Sequence, residues 1–183
     1  PLLQPGDRQL DQTRRERRAT AIGSIAPSGD KDVARILDEM IQSENDFEVA
    51  LAAAKGLEAL GDRRAEKKIV ERAENTLRRD SRDARAFENL ADAFSAFDDA
   101  RKALSAYERA LRYGSQNSLI RRRVNLKIAH LHADLDNSSG FLKALEAAGL
   151  GRDDIEREAE GDEAFAKMLE KDRVRRFLRQ LPR

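Results

Sequence analysis

The sequence predicts an all-α fold, and three observations support this prediction. Alanine, leucine, glutamate and arginine, which are strong helix formers, are abundant among the 183 residues. Aromatic residues make up only 5% of the chain, and the β-branched residues that favour strands are also scarce. Apolar residues recur at helical spacing, in stretches interrupted by short clusters of glycine, serine, asparagine and aspartate. The chain should therefore consist of helices joined by short turns.

The composition also excludes several classes of protein. The chain has no cysteine, which rules out disulfide scaffolds, thiolate zinc sites, iron–sulfur clusters and cysteine nucleophiles. Its apolar runs are far shorter than the ~20 residues needed to cross a bilayer, and no leader-like segment opens it, so we expect a cytoplasmic protein without a membrane span. Because the chain begins at Pro1 and not at Met, we expect a fragment or a processed product. Although 38% of the residues are charged, the net charge is only +1, so burial of the periodic apolar faces is feasible.

Turn residues divide the chain into helices of roughly 10 to 17 residues. The connections are short, which is typical of antiparallel helical hairpins. A Gly-Asp pair at Gly29 recurs 32 residues later at Gly61, and the pair Asp98-Asp99 follows 37 residues further on. A period in the thirties predicts a repeat of two helices. The turns are predicted at residues 27–30, 43–46, 61–62, 80–83, 98–99, 114–117, 136–140 and 149–151.

The clearest repeat unit spans residues 84–117. Its first helix carries four apolar residues at the spacing i, i+3, i+4 and i+7, and its second helix places a tyrosine ring between two small residues. The seven residues are Phe87, Leu90, Ala91, Phe94, Ala103, Tyr107 and Ala110. This pattern resembles the tetratricopeptide repeat. The chain departs from that family at Ser115, where proline is usual, and at Asp98, where glycine is common. A degenerate second unit follows in residues 118–151.

The remaining segments resemble the flanks of such arrays. Residues 14–80 are predicted to form two hairpins similar to HEAT-type repeats, and a tetratricopeptide register for them stays open. Residues 1–13 are predicted to be an extended arm, and residues 152–183 resemble the capping helices that close tetratricopeptide arrays. Together these resemblances imply a right-handed helical-repeat solenoid, an α-α superhelix of antiparallel helix hairpins in which each unit buries its apolar face on its neighbour.

The sequence shows no arrangement typical of an enzyme or a metal site. The two histidines, His130 and His132, are two residues apart, so on a helix they point in nearly opposite directions and cannot share a metal. The chain has no G-x-S-x-G elbow, no phosphate-binding glycine loop and no H-E-x-x-H motif. We therefore expect no catalytic residue, no metal and no cofactor.

Positive charge is concentrated in one segment of the chain. Residues 109–133 contain six arginines and lysines and no acidic residue. The tetratricopeptide resemblance implies that the first helix of each unit lines a concave groove, and that this groove receives the side chains of the basic segment. The predicted groove contacts are Asn89, Asp92, Arg122, Arg123 and Lys127.

Three interpretations of the basic segment stay open. A non-catalytic scaffold would hold a partner protein or an acidic peptide in the groove, since arginine pairs well with carboxylates. A nucleic-acid-associated repeat protein would use residues 109–127 with a second basic cluster at residues 14–18, although the near-zero net charge and the lack of interleaved aromatic residues disfavour it. The cations could also form a simple solvated face.

We expect the scaffold function, with self-association through an exposed solenoid end as a further option. Charge reversal at Arg122 and Arg123 should then weaken binding several-fold and leave helicity intact.

Overall fold

The computed structural model describes residues 31–181 of the chain. Over this range the backbone forms ten α-helices and no strand, which confirms the all-α prediction for this part of the chain. The predicted arm at residues 1–13 and the first predicted helix at residues 14–26 lie outside the described residues. No helix within the range is long and apolar enough to span a membrane. The helices are α1 Lys31–Ser43, α2 Phe47–Ala59, α3 Ala65–Arg79, α4 Ala84–Ala96, α5 Ala100–Tyr113, α6 Ser118–Asp134, α7 Ser138–Ala148, α8 Arg152–Glu158, α9 Glu163–Glu170 and α10 Asp172–Leu178.

Several helices begin at side-chain caps, and three of these caps, Asp46, Asn117 and Asn137, lie in predicted turns. Asp46 and Asn117 accept hydrogen bonds from backbone N–H groups in the first turns of α2 and α6. Asn137 and Asp162 do the same for α7 and α9. Such caps satisfy amide groups that the first turn of a helix leaves without a backbone partner. The predicted helix boundaries therefore have a clear physical cause.

One turn geometry recurs after α2, α4 and α6. In each turn one residue has a left-handed backbone, with φ of 93° at Gly61, 63° at Asp98 and 53° at Asp136. The N–H of this residue donates to the carbonyl three residues before it, as from Gly61 to Glu58. The N–H of the following residue donates to the carbonyl five residues before itself, as from Asp62 to Leu57. This pair of bonds is the Schellman motif. Aspartate tolerates the left-handed region better than most residues, which explains why Asp98 and Asp136 can occupy this position of the turn.

Close packing divides the chain into two compact units. Among the described residues, the first unit comprises residues 31–81 and Asp92–Asp99, and the second comprises Arg82–Ala91 and residues 100–181. Helix α4 therefore contributes its N-terminal part to the second unit and its C-terminal part to the first. Most of the predicted functional residues belong to the second unit.

In the first unit, α1, α2 and α3 pack on one another. The buried side chains on α2 include Ala50 and Ala53, which are small enough to let neighbouring helices approach closely. A half-buried lysine also joins α3 to α1, since Lys68 Nζ lies 2.6 Å from Asp38 and 3.0 Å from Asp62. Arg72 of α3 also donates hydrogen bonds to the carbonyls of Ile41 and Glu44, so apolar contact and two charged side chains hold these three helices together.

In the second unit, α6 and α7 form the most closely packed hairpin, α9 packs on α6, and α10 packs on α7 and α9. The fully buried Phe165 of α9 meets Phe141 of α7 edge-on, with ring centroids 4.8 Å apart. The ring of His130 lies on its other side at 4.6 Å. The repeat residues predicted for residues 84–117 are buried, apart from the half-buried Leu90 and Phe94.

Candidate functional site

A buried carboxylate lies beside the basic segment. Glu88 of α4 is 0% exposed. Arg123 of α6 donates from Nε and Nη2 to the two carboxylate oxygens, at 2.7 and 2.6 Å. One turn further along α6, Lys127 places its Nζ 3.0 Å from Oε1. These three residues, which we call the Glu88 cluster, tie α4 to α6.

The Glu88 carboxyl is ionised although it is buried. Burial alone would raise its pKa, but the hydrogen bonds and charges of Arg123 and Lys127 outweigh burial and lower the pKa from 4.5 to about 2. A buried carboxylate is stable only when it is paired and hydrogen-bonded in this way. The cluster is therefore a fixed link whose protonation does not change near neutral pH.

The face of α6 that carries the cluster extends along the helix as a stripe. Leu119, Arg122, Arg123, Leu126 and Lys127 follow the spacing i, i+3, i+4, i+7 and i+8, so they share one side of α6. We call these five residues the basic stripe. Leu119 is 69% exposed, and the side chains of Arg122 and Arg123 are 51% and 39% exposed. A large aliphatic side chain thus stands in solvent beside two accessible guanidinium groups.

Acidic residues of neighbouring helices flank this face of α6 on both sides. Glu88 approaches from α4, whereas Asp154 of α8 accepts a hydrogen bond from Arg122 Nη2 at 2.7 Å. Further along α6, His130 Nδ1 lies 2.8 Å from Asp162 and His130 Nε2 lies 3.6 Å from Glu158. The stripe is therefore bordered by α4 and by the segment that begins with α8.

Four polar side-chain pairs of the second unit share nearly the same separation along the chain. Two of them join residues 35 apart and two join residues 32 apart, which is close to the period of the turns. Each pair thus links residues of successive hairpins that lie about one predicted period apart in the sequence. The pairs are Glu88 with Arg123, Arg122 with Asp154, His130 with Asp162, and Asp136 with Lys171.

The five residues predicted as groove contacts have different neighbours in the structure. Arg123 and Lys127 meet at Glu88, whereas Arg122 reaches Asp154 on the other side of the stripe. Asn89 is half-buried on α4, and Asp92, also half-buried, belongs to the first unit. Charge reversal at Arg123 would set a second carboxylate against the buried Glu88. We therefore do not expect that change to leave the fold intact.

The sequence prediction missed the internal partners of these cations. Glutamate is rarely fully buried, so composition and periodicity give no reason to place Glu88 inside the protein. The signal that could have found Glu88 and Asp154 is their separation from Arg123 and Arg122. Residues one repeat period apart lie beside each other in a stacked array of hairpins.

The two histidines occupy different environments. His130 lies against Phe165 and the carboxylates already described, whereas the half-buried His132 packs on Gly140 of α7. Burial lowers the pKa of His132. Among residues 31–181, no group of three histidine, aspartate or glutamate side chains could hold a metal ion.

No protein-family model matches the chain, and searches among curated proteins and among solved structures find no match.

Proposed function

We propose that this protein is a non-catalytic scaffold that binds a partner protein through an acidic segment of that partner. The segment lies along the basic stripe of α6, with carboxylates at Arg122 and Arg123 and an apolar side chain against Leu119. The observation that carries the proposal is the exposure of Leu119 beside Arg122 and Arg123 on one helix face. An apolar anchor with guanidinium groups beside it suits an acidic, partly apolar peptide.

The Glu88 cluster supports this proposal because it orients Arg123 in advance. Two hydrogen bonds to Glu88 fix the guanidinium plane from the buried side, while 39% of the side chain stays accessible to solvent. A side chain that is already ordered loses less entropy when a ligand binds. Arg123 can therefore receive a carboxylate at a smaller entropic cost than a freely moving arginine.

Arg122 supports the proposal in a different way. Its pair with Asp154 is half exposed, and pairs of this kind contribute only about 0–1 kcal/mol to stability. A partner carboxylate can share or replace Asp154 at Arg122 without disturbing the fold. Arg122 is consequently the better residue for a functional test.

We also propose that the hairpins are units of a right-handed helical-repeat solenoid, HEAT-like in residues 14–80 and of the tetratricopeptide type in residues 84–151, with residues 152–183 as capping helices. The recurring Schellman turn and the ion pairs of one repeat length support this assignment. In such arrays the first helices form an extended surface on which a partner segment can lie.

The test compares two double variants with the natural chain. Leu119→Ser with Arg122→Ser removes the most exposed part of the stripe and keeps the Glu88 cluster. Leu135→Ser with Arg101→Ser changes the same residue types at exposed positions outside the stripe. Each tagged chain is used to capture proteins from an extract of its source cells. We expect the stripe variant to recover about fivefold less of an acidic partner, and the control to match the natural chain.

Equal recovery by all three chains would contradict the proposed role of the stripe. Recovery of nucleic acid, with an affinity that falls steeply and linearly with the logarithm of salt concentration, would favour the alternative. In that alternative the basic clusters at residues 14–18 and 109–127 contact phosphate groups.

A further inference from the structure

A recess of about 470 Å³ lies at the C-terminal end of the second unit. Helices α8, α9 and α10 enclose it. Its floor is apolar, formed by the half-buried Leu169 and by Leu178, which is 7% exposed. We call this recess the C-terminal cleft. The residues that line it are Arg152, Glu156, Leu169, Asp172, Arg175, Leu178 and Arg179.

The rim of the C-terminal cleft carries three arginines and two acidic residues, Glu156 and Asp172, and so has an excess of one positive charge. Arg152 is matched by Glu156, whose Oε1 accepts a hydrogen bond from Arg152 Nε at 2.7 Å. Arg175 and Arg179 are exposed and lie one turn apart in sequence, and within residues 31–181 neither forms a salt bridge. Like charges at this spacing destabilise a helix slightly. An anion bound between the two guanidinium groups would relieve that repulsion.

The C-terminal cleft is separate from the basic stripe. Arg152 and Glu156 are one turn apart on α8 and face the cleft. Asp154 lies two residues from each of them, which places it on the opposite side of the helix, where it holds Arg122. A ligand of the cleft therefore meets different arginines from a ligand of the stripe.

We propose that the C-terminal cleft is a second binding site, which takes an acidic peptide segment of a partner protein. Carboxylates of the peptide pair with Arg175 and Arg179, and an aliphatic side chain lies on Leu169 and Leu178. Arginine matches the planar geometry of a carboxylate, and a recess of this size is within the range that holds a small ligand or a few residues of peptide. The leucine floor fits an aliphatic side chain, whereas bases of nucleic acid stack on aromatic rings.

A direct binding measurement tests this proposal. The probe is the fluorescein-labelled peptide acetyl-Glu-Leu-Asp-Leu-Glu-amide, and its neutral counterpart replaces each acid by the corresponding amide. Fluorescence anisotropy with the full chain at constant salt should show binding of the acidic peptide only. We expect Arg175→Glu with Arg179→Glu to weaken that binding about tenfold or more.

The same helix supplies a matched control. Arg173→Glu with Arg176→Glu introduces an equal change of charge at exposed residues of α10 that do not line the cleft. We expect less than a twofold change in affinity for this pair. Circular dichroism checks that both variants keep their helices, and nuclear magnetic resonance on the chain with its natural α10 should place the peptide beside Leu169 and Leu178.

Three results would overturn the proposal. Equal weakening by both pairs of variants would show a general charge effect, and equal binding of the neutral peptide would show that carboxylates are not recognised. Tighter binding of a labelled oligothymidylate than of the acidic peptide would assign the cleft to nucleic acid. Because the stripe is itself proposed to take acidic segments, every binding measurement is made in the full chain that carries Leu119→Ser and Arg122→Ser. Binding that persists in this background belongs to the cleft, so failure of this proposal is distinguishable from failure of the proposed function.

Discussion

Replacement of Glu88 by glutamine should destabilise the protein in a way that depends on pH. The pKa of Glu88 falls from 4.5 to about 2 on folding, and each tenfold change in the protonation equilibrium is worth about 1.4 kcal/mol. Arg123 and Lys127 therefore stabilise the folded protein by on the order of 3 kcal/mol through this carboxylate. Because the folded pKa is the lower one, this contribution is complete above pH ~5 and is lost as the pH falls toward about 2.

Urea unfolding followed by circular dichroism measures this effect. At neutral pH Glu88→Gln should lower the free energy of unfolding by about 3 kcal/mol, and the difference from the natural chain should shrink to less than about 1 kcal/mol near pH 2. Glu108→Gln is the control, because Glu108 is exposed on α5 and its replacement should change stability by less than about 0.5 kcal/mol. A loss that stays constant from neutral to acid pH would refute the electrostatic account of the cluster.

Two further substitutions test the turns and the close contacts. Asp98→Gly should stabilise the protein by about 0.5–1 kcal/mol, because glycine adopts the left-handed backbone of Asp98 without steric cost. Gly61→Ala, at the equivalent turn, should lower the thermal unfolding midpoint. A lower midpoint for Asp98→Gly would contradict this reasoning. Gly140→Ala should destabilise by about 1–3 kcal/mol, since a Cβ there would come within 2.5 Å of the His132 ring. Adding His132→Ala should recover part of that loss in the same melting experiment, and a Gly140→Ala chain as stable as the natural one would show that the ring moves freely.

The helices of residues 31–181 follow from local signals in the sequence. Apolar spacing predicted which faces are buried, and aspartate or asparagine at positions such as Asp46 and Asn117 marked where helices begin. The left-handed turn at Asp98 was also visible as a break, because two consecutive aspartates are poor helix formers. These features depend on interactions within a few residues, which is why one sequence suffices to find them.

The site was predicted only in part, because its contacts join distant residues. The sequence located the basic segment, but it could not show that Arg123 reaches Glu88 on α4 or that Arg122 reaches Asp154 on α8. The exposure of Leu119 was likewise not evident, since leucine in a periodic stretch is normally assigned to the core. The C-terminal cleft depends on how three short helices pack, and no local pattern in the sequence encodes that packing.

The ion pairs that span one hairpin length restrict how the second unit can change over evolutionary time. Because α4 carries Glu88, the buried partner of Arg123 on α6, removing the hairpin that contains α6 would leave a buried carboxylate without its arginine. Lengthening this part of the chain by copying a segment would require compensating substitutions in adjacent segments. A substitution at Glu88 on α4 therefore requires a matching substitution at Arg123 on α6.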